Sequence, residues 1–194
     1  MQVRSTLNEN LNAVSAREDW FALSVMARHE KAVSRLLSDK GFETFLPLWR
    51  RRYRYQRRIR EFDLPLFPSY VFCRFDVTRR LPVVTTPGVL RLVGAGRTPV
   101  SIHEEEIRAL QRASRAKVAM QPHAYWYSGQ RGYIASGVLA GIQGTVVSVK
   151  NPVRMILSVS LLQRSVLLEL DSDCVVLSEE DRNAAPNGGI VARP

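Results

Sequence analysis

The residues best suited to do chemistry in this sequence form a basic segment, Arg50–Arg60, with seven arginines among eleven residues. Guanidinium groups donate paired hydrogen bonds to phosphate oxygens, and tyrosine rings offer flat faces on which unpaired bases stack. The segment therefore predicts nucleic-acid contact without sequence preference, since phosphate contacts position a protein and do not specify a sequence. The alternative is a solvated charged connection. The candidate nucleic-acid-binding residues are Arg50, Arg51, Arg52, Tyr53, Arg54, Tyr55, Arg57, Arg58 and Arg60.

A second candidate site lies in the aromatic strand that the pattern predicts over residues 69–75. Alternation places Tyr70 and Phe72 on one face and the residues between them on the other, and both faces are apolar. A sheet covered on both faces accounts for this pattern without any function. An exposed aromatic depression, bordered by Phe67, would instead mark a protein partner. The candidate partner-binding residues are Phe67, Tyr70 and Phe72.

Three glycines of the segment 137–146 precede a run of β-forming residues: Gly137, Gly141 and Gly144. Glycines at this spacing permit two close turns and a bulge, as at the corner of a small barrel. We interpret these glycines as architectural.

Residues with catalytic or metal-binding spacing are absent from the sequence. The three histidines, His29, His103 and His123, have no HxxxH or HxH spacing, and neither Cys73 nor Cys174 belongs to a CxxC pair. We therefore expect a protein that is not an enzyme, with no metal and no cofactor. Two cysteines about a hundred positions apart in apolar runs indicate reduced core thiols and a cytoplasmic location. The sequence contains no run of eighteen apolar residues, so we expect no membrane span. The first residues do not resemble a secretory signal.

The elements that must position these residues divide the chain by charge. The formal net charge is +10, and residues 19–117 carry 20 basic and 10 acidic residues against 4 and 6 in residues 124–181. The imbalance predicts two domains with different partners, of which the basic one faces a polyanion. We expect a disordered leader at 1–18, a first domain at 19–118, a linker at 119–127, a second domain at 128–180 and a disordered tail at 181–194.

The order of predicted elements indicates an α+β fold. Strands are expected near 20–26, 42–48, 69–75 and 89–93, with a helix over 29–40 and another that begins after a capping box of Ser101 and Glu104. These elements make an α/β sandwich. Short strands near 145–150, 155–160, 165–170 and 174–177, separated by turns, then predict a small β-barrel. The basic segment falls between two strands, as a hairpin or a mobile loop.

Several of these segments, taken in order, resemble the NusG-type transcription elongation and antitermination factors. The segments that resemble their N-terminal (NGN) domain are Trp20–Leu23, Arg28–Lys31, Leu64–Phe72, Thr86–Val89, Leu92–Gly94 and Pro99–Ser101. Gly137–Val146 resembles the KOW motif, and Leu162–Leu170 resembles the end of its barrel. The long arginine segment and Leu162–Ser165 are similar to the specialised UpxY and RfaH-like antiterminators.

The resemblance implies an NGN-like antiparallel sheet with flanking helices, followed by a small SH3-like KOW β-barrel. It implies docking on the clamp helices of the largest RNA polymerase subunit through Phe67, Tyr70 and Phe72. It places the basic segment near upstream or non-template DNA, and it gives the KOW domain a second partner such as Rho or a small-subunit ribosomal protein. The expected protein is a monomer that suppresses pausing or termination. The alternative is a ribosome-associated or RNA-binding KOW protein that acts in translation.

Overall fold

The computed structural model of the chain describes residues 18–55, 58–96, 98–124, 130–148 and 153–177. By their internal contacts, the residues separate into two compact units. The first comprises the chain up to Leu46 together with Pro68–Glu104, and the second comprises Pro47–Phe67 together with the chain from Glu105 onward. The predicted leader, apart from Glu18, and the predicted tail lie outside the described residues.

The first unit is built on a four-stranded antiparallel sheet. Its strands are β1 (Asp19–Val25), β2 (Glu43–Phe45), β5 (Tyr70–Phe75) and β6 (Val89–Leu92), which lie side by side in the order β2-β5-β1-β6. The helix α1 (Glu30–Asp39) follows β1, and the short helix α2 (Leu81–Val84) follows a 3-10 turn at Val77–Arg79. Two further short strands, β7 (Gly94–Ala95) and β8 (Thr98–Pro99), pair with each other. The expected strands and first helix are confirmed, with boundaries shifted by a few residues.

The core of the first unit lies between one face of this sheet and α1. Val33 and Leu37 are one helical turn apart, so both point toward the sheet, and both are buried. Gly41, with φ of 87°, follows the helix and ends it in the left-handed conformation that glycine adopts without cost. The sheet contributes alternate residues of its two central strands, β1 and β5. The buried core residues are Phe21, Leu23, Val25, Val33, Leu37, Val71, Cys73, Phe75 and Val83.

A long helix, α3 (Glu104–Arg115), follows the first unit's last residues and buries Ile107, Leu110 and Ala113 on one side. The capping box expected at Ser101 and Glu104 is wrong, because the helix begins only at Glu104. Ile102 instead forms an isolated antiparallel bridge with Trp20, which extends the chain through this segment. The local pairing with the sheet therefore overrides the capping signal. Within the described residues, no helix has both the length and the apolar character needed to span a membrane.

The second unit contains a six-stranded antiparallel sheet. Its strands are β9 (Met120–Ala124), β10 (Gln130–Ile134), β11 (Gln143–Ser148), β12 (Val153–Val159), β13 (Arg164–Leu170) and β14 (Val175–Leu177), in the order β14-β10-β11-β12-β13-β9. Short 3-10 turns at Ser160–Leu162 and Ser172–Cys174 connect the last strands. Cross-strand pairs such as Met155 with Leu168 fill its apolar face. The described strand pairing leaves β14 and β9 as edges, so the predicted closed barrel is not confirmed.

Part of the predicted linker is a strand. Met120–Ala124 forms β9, which pairs along β13 from Leu168↔Met120 to Arg164↔Ala124. Pro122 lacks a backbone N–H, and its position on an edge strand avoids the loss of a central ladder hydrogen bond. The aperiodic sequence concealed this strand because its stability comes from its long-range partner and not from its own pattern.

The basic segment forms a two-stranded antiparallel hairpin of β3 (Leu48–Tyr55) and β4 (Arg58–Pro65). Of the two alternatives for this segment, hairpin or mobile loop, the structure shows the hairpin. Its pairing runs without a break from Leu48↔Pro65 to Tyr55↔Arg58. The hairpin clusters with the second unit, although its residues lie between two strands of the first.

The two thiols should differ in reactivity. Cys73 is fully buried, and this burial, together with the charges of Glu18 and Glu43, raises its pKa to about 12. Since only the thiolate is nucleophilic, we expect a disulfide reagent near neutral pH to modify Cys174, which is half-buried, and to modify Cys73 only after unfolding. Counting thiols modified before and after denaturant measures this, and Cys174→Ser should abolish the native signal. Rapid modification of two thiols in the native chain would contradict the assignment.

The same thiol gives a pH dependence of stability. The folded Cys73 stays neutral while the unfolded group ionises above its ordinary pKa of 9.0, so its contribution to the free energy of unfolding falls as the pH rises from about 9 toward 12. Urea unfolding of the wild-type chain and of Cys73→Ala on either side of the ordinary pKa measures the effect. The stability advantage of the wild-type chain should shrink at the higher pH, and a constant advantage would contradict the shifted pKa.

Candidate functional site

The hairpin gives the predicted nucleic-acid residues two different environments, because directly paired residues of antiparallel strands share a face. One face, which we term the aromatic face, consists of Trp49, Arg51, Tyr53, Arg58, Arg60, Phe62 and Leu64. The opposite face, which we term the ion-pair face, includes Arg50, Arg52, Ile59, Glu61 and Asp63. Arg54 and Tyr55 belong to β3, and Arg57 lies outside the described residues.

On the aromatic face, a guanidinium lies over two rings. The Cζ atom of Arg51 is 4.4 Å from the centroid of the Tyr53 ring and 5.8 Å from that of Trp49. Tyr53 in turn contacts Phe62 edge-on across the hairpin, with centroids 6.4 Å apart and ring planes at 76°. Both of these rings are 46% exposed. The face therefore presents cations and open ring surface together, which is the combination that stacks bases and holds phosphates.

On the ion-pair face, two arginines form ion pairs with carboxylates. The Nε atom of Arg52 donates to Glu61 at 2.7 Å, and Arg50 lies 3.4 Å from Asp63 and 3.6 Å from Glu61. Such exposed pairs add about 0–1 kcal/mol to stability. Their larger effect here is to neutralise the positive charge of this face, which lowers its attraction for a polyanion.

Sequence reasoning missed Trp49, Phe62 and the two carboxylates as parts of this site. The signal that could have found them is the hairpin register itself. Once Tyr55 is paired with Arg58, each residue of β3 has a fixed partner in β4, and Arg51 falls opposite Phe62 while Arg52 falls opposite Glu61. The count of arginines alone could not separate the two faces.

The aromatic strand β5 is covered on both faces. Phe72 is 0% and Phe67 1% exposed, while Tyr70 is half-buried. Phe72 stacks on Phe45 of the adjacent strand, with centroids 6.1 Å apart and ring planes at 25°. Of the two alternatives left by the sequence, this structure has the covered sheet and not an open depression. Only Tyr70 of the three candidate partner-binding residues offers part of its side chain to solvent.

A buried carboxylate holds the turn that leads into β5. Glu30, at the first turn of α1, is 6% exposed, and its Oε1 accepts a hydrogen bond of 2.9 Å from the backbone N–H of Ser69. Ser69 has φ of 66°, which is costly for a residue with a side chain, and its carbonyl accepts a hydrogen bond from the N–H of Val25. Glu30 and Ser69 therefore position Tyr70, although no sequence pattern marked either of them as functional.

Replacement of Glu30 tests this arrangement. Glu30→Ala removes the acceptor of the partly buried Ser69 N–H, so we expect the free energy of unfolding to fall by about 1–3 kcal/mol. Glu30→Gln keeps an acceptor oxygen and should lose less. Urea unfolding monitored by circular dichroism measures both values. Equal losses for the two variants would show that the hydrogen bond does not stabilise the turn.

The predicted turn glycines have two different roles. Gly137 and Gly141 have φ of 80° and 84°, and they bracket a loop whose Val138 and Ala140 carbonyls accept hydrogen bonds from Arg112 of α3 at 3.0 and 2.7 Å. A Cβ on either of these glycines would meet no atom within 4 Å. At Gly144 a Cβ would lie 2.7 Å from the Ile156 carbonyl oxygen. Gly144 is therefore required for close approach of strands β11 and β12.

Alanine substitutions should separate the two roles. Gly137→Ala forces a left-handed conformation on alanine in open space, so we expect a loss of about 1 kcal/mol in the free energy of unfolding. Gly144→Ala must push strand backbone apart, and we expect about 2–3 kcal/mol, typical of overpacking. Thermal unfolding of the two variants compares them directly. A larger loss for Gly137→Ala would contradict the assigned roles.

Among the described residues, no group of three or more His, Cys, Asp or Glu side chains could hold a metal ion. Asp76 has a lowered pKa because its carboxylate accepts hydrogen bonds from the Thr78 hydroxyl and backbone N–H, which cap the 3-10 turn.

Comparison with known proteins relates this architecture to one family. The family model described as transcription termination factor NusG matches residues 18–111, which include the four-stranded sheet and the hairpin. The transcription termination/antitermination protein NusG of Lactococcus lactis is 25% identical over 177 residues, which cover 84% of this chain and 95% of that protein. Its namesake in Thermus thermophilus is 28% identical over 183 residues, which cover 81% and 97%.

A solved structure shows the same fold. The structure describing domain interaction in Thermotoga maritima NusG superposes with a TM-score of 0.51 at 18% identity, and it covers 82% of this chain and 96% of that one. At this identity the likeness concerns the fold alone. It agrees with a mixed α/β architecture of antiparallel sheets and few helices.

Proposed function

Because the NusG family model matches residues 18–111 and two NusG proteins are similar along most of the chain, we propose that it belongs to that family and acts on transcribing RNA polymerase as an elongation or antitermination factor. The observation that carries the proposal is the hairpin β3–β4, which lies inside the matched segment and exposes arginines and aromatic rings together. A factor of this kind is a binding protein. Its action is to hold the polymerase and its nucleic acid in a state that continues synthesis, with suppression of pausing or termination as the result.

The proposed polymerase contact is the first part of β5 and the residues just before it, with Phe67, Tyr70 and Phe72 as the contacting residues. The family resemblance assigns these positions to docking on the clamp helices of the largest subunit. Since Phe67 and Phe72 are almost fully buried here, docking through their rings requires a movement that exposes them. Tyr70 is the accessible member, and the hydrogen bond from Ser69 to Glu30 fixes the backbone beside it.

The proposed role of the second sheet is that of a KOW-type module. It carries the turn glycines and the strand pattern that resemble the KOW motif, and its exposed residues Tyr133, Val138 and Val176 are apolar or amphipathic. We assign this module the recruitment of a second partner, of the kind represented by Rho or a small-subunit ribosomal protein. The hairpin contacts the upstream or non-template DNA of the same complex.

Binding of core RNA polymerase by the full chain tests the proposal. We expect the wild-type chain to bind and Tyr70→Ala to bind about tenfold more weakly, as for a typical interface anchor. Tyr133→Ala on β10 is the matched control, because it makes the same change at an exposed tyrosine of the other unit. Phe72→Ala is a poor probe, since truncation of a fully buried phenylalanine costs about 3–5 kcal/mol of folding free energy.

The outcomes separate the function from the docking face. Equal binding of polymerase by the two tyrosine variants would reject Tyr70 as an anchor and leave the function in place. If the wild-type chain does not bind polymerase but sediments with ribosomes, the proposed function is rejected in favour of a role in translation.

A further inference from the structure

The two faces of the hairpin expose different side chains, and this difference indicates that only one of them binds nucleic acid. We propose that the aromatic face binds an unpaired nucleic-acid strand, with bases stacked on its rings and phosphates on its arginines, while the ion-pair face takes no part. This inference rests on the nucleic-acid contact proposed above and narrows it to one face, one strand form and a small set of residues.

The rings of the aromatic face are spaced and exposed for stacking. Trp49 and Tyr53 lie on the same side of β3, and Arg51 lies between them over both rings. Phe62 extends the ring surface across to β4. Arg51 is thereby held by two cation–π contacts with its donors still available, since no carboxylate shares its face among the described side chains.

The two faces of the hairpin also differ in charge, and the difference favours the aromatic face as the binding surface for a polyanion. The aromatic face carries the exposed arginines Arg51, Arg58 and Arg60, a charge of +3, without an acidic residue among its described members. On the ion-pair face, Arg50 and Arg52 are offset by Glu61 and Asp63 at 2.7–3.6 Å. A polyanion therefore meets unpaired positive charge on one side of the hairpin, whereas on the other side the charges of Arg50 and Arg52 are offset by carboxylates.

The exposed rings select an unpaired strand over a duplex. A duplex offers phosphates to the arginines but keeps its base faces stacked inside, so Tyr53 and Phe62 gain nothing from it. Bases and phosphates are common to single-stranded DNA and RNA, and the guanidinium groups, the Trp49 indole and the Tyr53 hydroxyl could each also contact a ribose 2′-hydroxyl. The face is therefore assigned an unpaired strand of either sugar.

Two neighbouring arginines provide the central test. Arg51→Gln and Arg52→Gln remove the same charge at adjacent exposed positions but on opposite faces. For binding of the full chain to oligo(dT) of about 16 nucleotides, we expect Arg51→Gln to lose about tenfold and Arg52→Gln about twofold or less. Arg91→Gln, at an exposed arginine of β6, measures the effect of one lost charge outside the hairpin. Fluorescence anisotropy at fixed salt gives the dissociation constants.

Salt dependence separates rings from charges. The double variant Tyr53→Leu/Phe62→Leu keeps apolar bulk and removes both rings, so we expect about tenfold weaker binding with an unchanged slope of log K against log salt. Arg51→Gln should reduce that slope by about 0.7, the value for one phosphate contact on a single strand. Circular dichroism confirms that each variant retains the fold.

Each result decides a separate point. Equal losses for Arg51→Gln and Arg52→Gln, or full binding by the ring variant, would overturn the face assignment while the nucleic-acid contact stands. A duplex of the same length bound as tightly as oligo(dT) would overturn the preference for an unpaired strand, and oligo(rU) bound within about threefold of oligo(dT) would support recognition through bases and phosphates alone. Failure of the wild-type chain to bind any of these probes would overturn the inference together with the proposed contact, whereas the polymerase measurement tests the rest of the function independently.

Discussion

The register of antiparallel strands is the constraint on which the candidate sites depend. Paired residues share a face, and the face alternates at every position, so one register fixes the surroundings of every side chain in the strand. In the hairpin, the register that pairs Arg51 with Phe62 also pairs Arg52 with Glu61. A slip by one residue in a single strand would mix rings with carboxylates. The separation of a basic aromatic face from an ion-paired one is thus a consequence of the hydrogen-bonded strand register.

The same alternation explains why β5 is both core and candidate docking strand. Val71, Cys73 and Phe75 face α1, whereas Phe72 faces the other side and stacks on Phe45. The strand is central in its sheet, between β1 and β2, so its backbone is paired on both sides and its position is rigid. The carboxylate of Glu30 then fixes the left-handed residue just before it. On the docking proposed above, the fixed entry turn holds the backbone at Tyr70 in place before binding, whereas contact through Phe67 or Phe72 requires a movement that exposes them.

Much of the fold follows from local pattern. The strands over 19–25, 70–75 and 89–92 and the helix over 30–39 carry strong alternation or helical spacing, and they form where that spacing predicts. The misplaced elements depend on distant partners. Met120–Ala124 is a strand because it pairs with β13. Ile102 forms a bridge with Trp20, so the chain is extended at the position where Ser101 was expected to cap a helix. Arg112 likewise donates hydrogen bonds to two carbonyls of a loop more than twenty residues away, a contact that spacing along the chain does not predict.

The sequence by itself determined that the protein is basic in its first part, that it mixes helices with antiparallel strands, that it resembles NusG-type factors and that Arg50–Arg60 is its strongest candidate for nucleic-acid contact. The resemblance rests on a set of motifs in a fixed order, whereas composition and short-range periodicity suffice for the other conclusions because they are properties of neighbouring residues. Only the tertiary structure decided which arginines are already paired with carboxylates, which aromatic rings are buried and which glycine is needed for close strand approach. These properties depend on residues brought together across the chain, and spacing along the chain does not encode them directly.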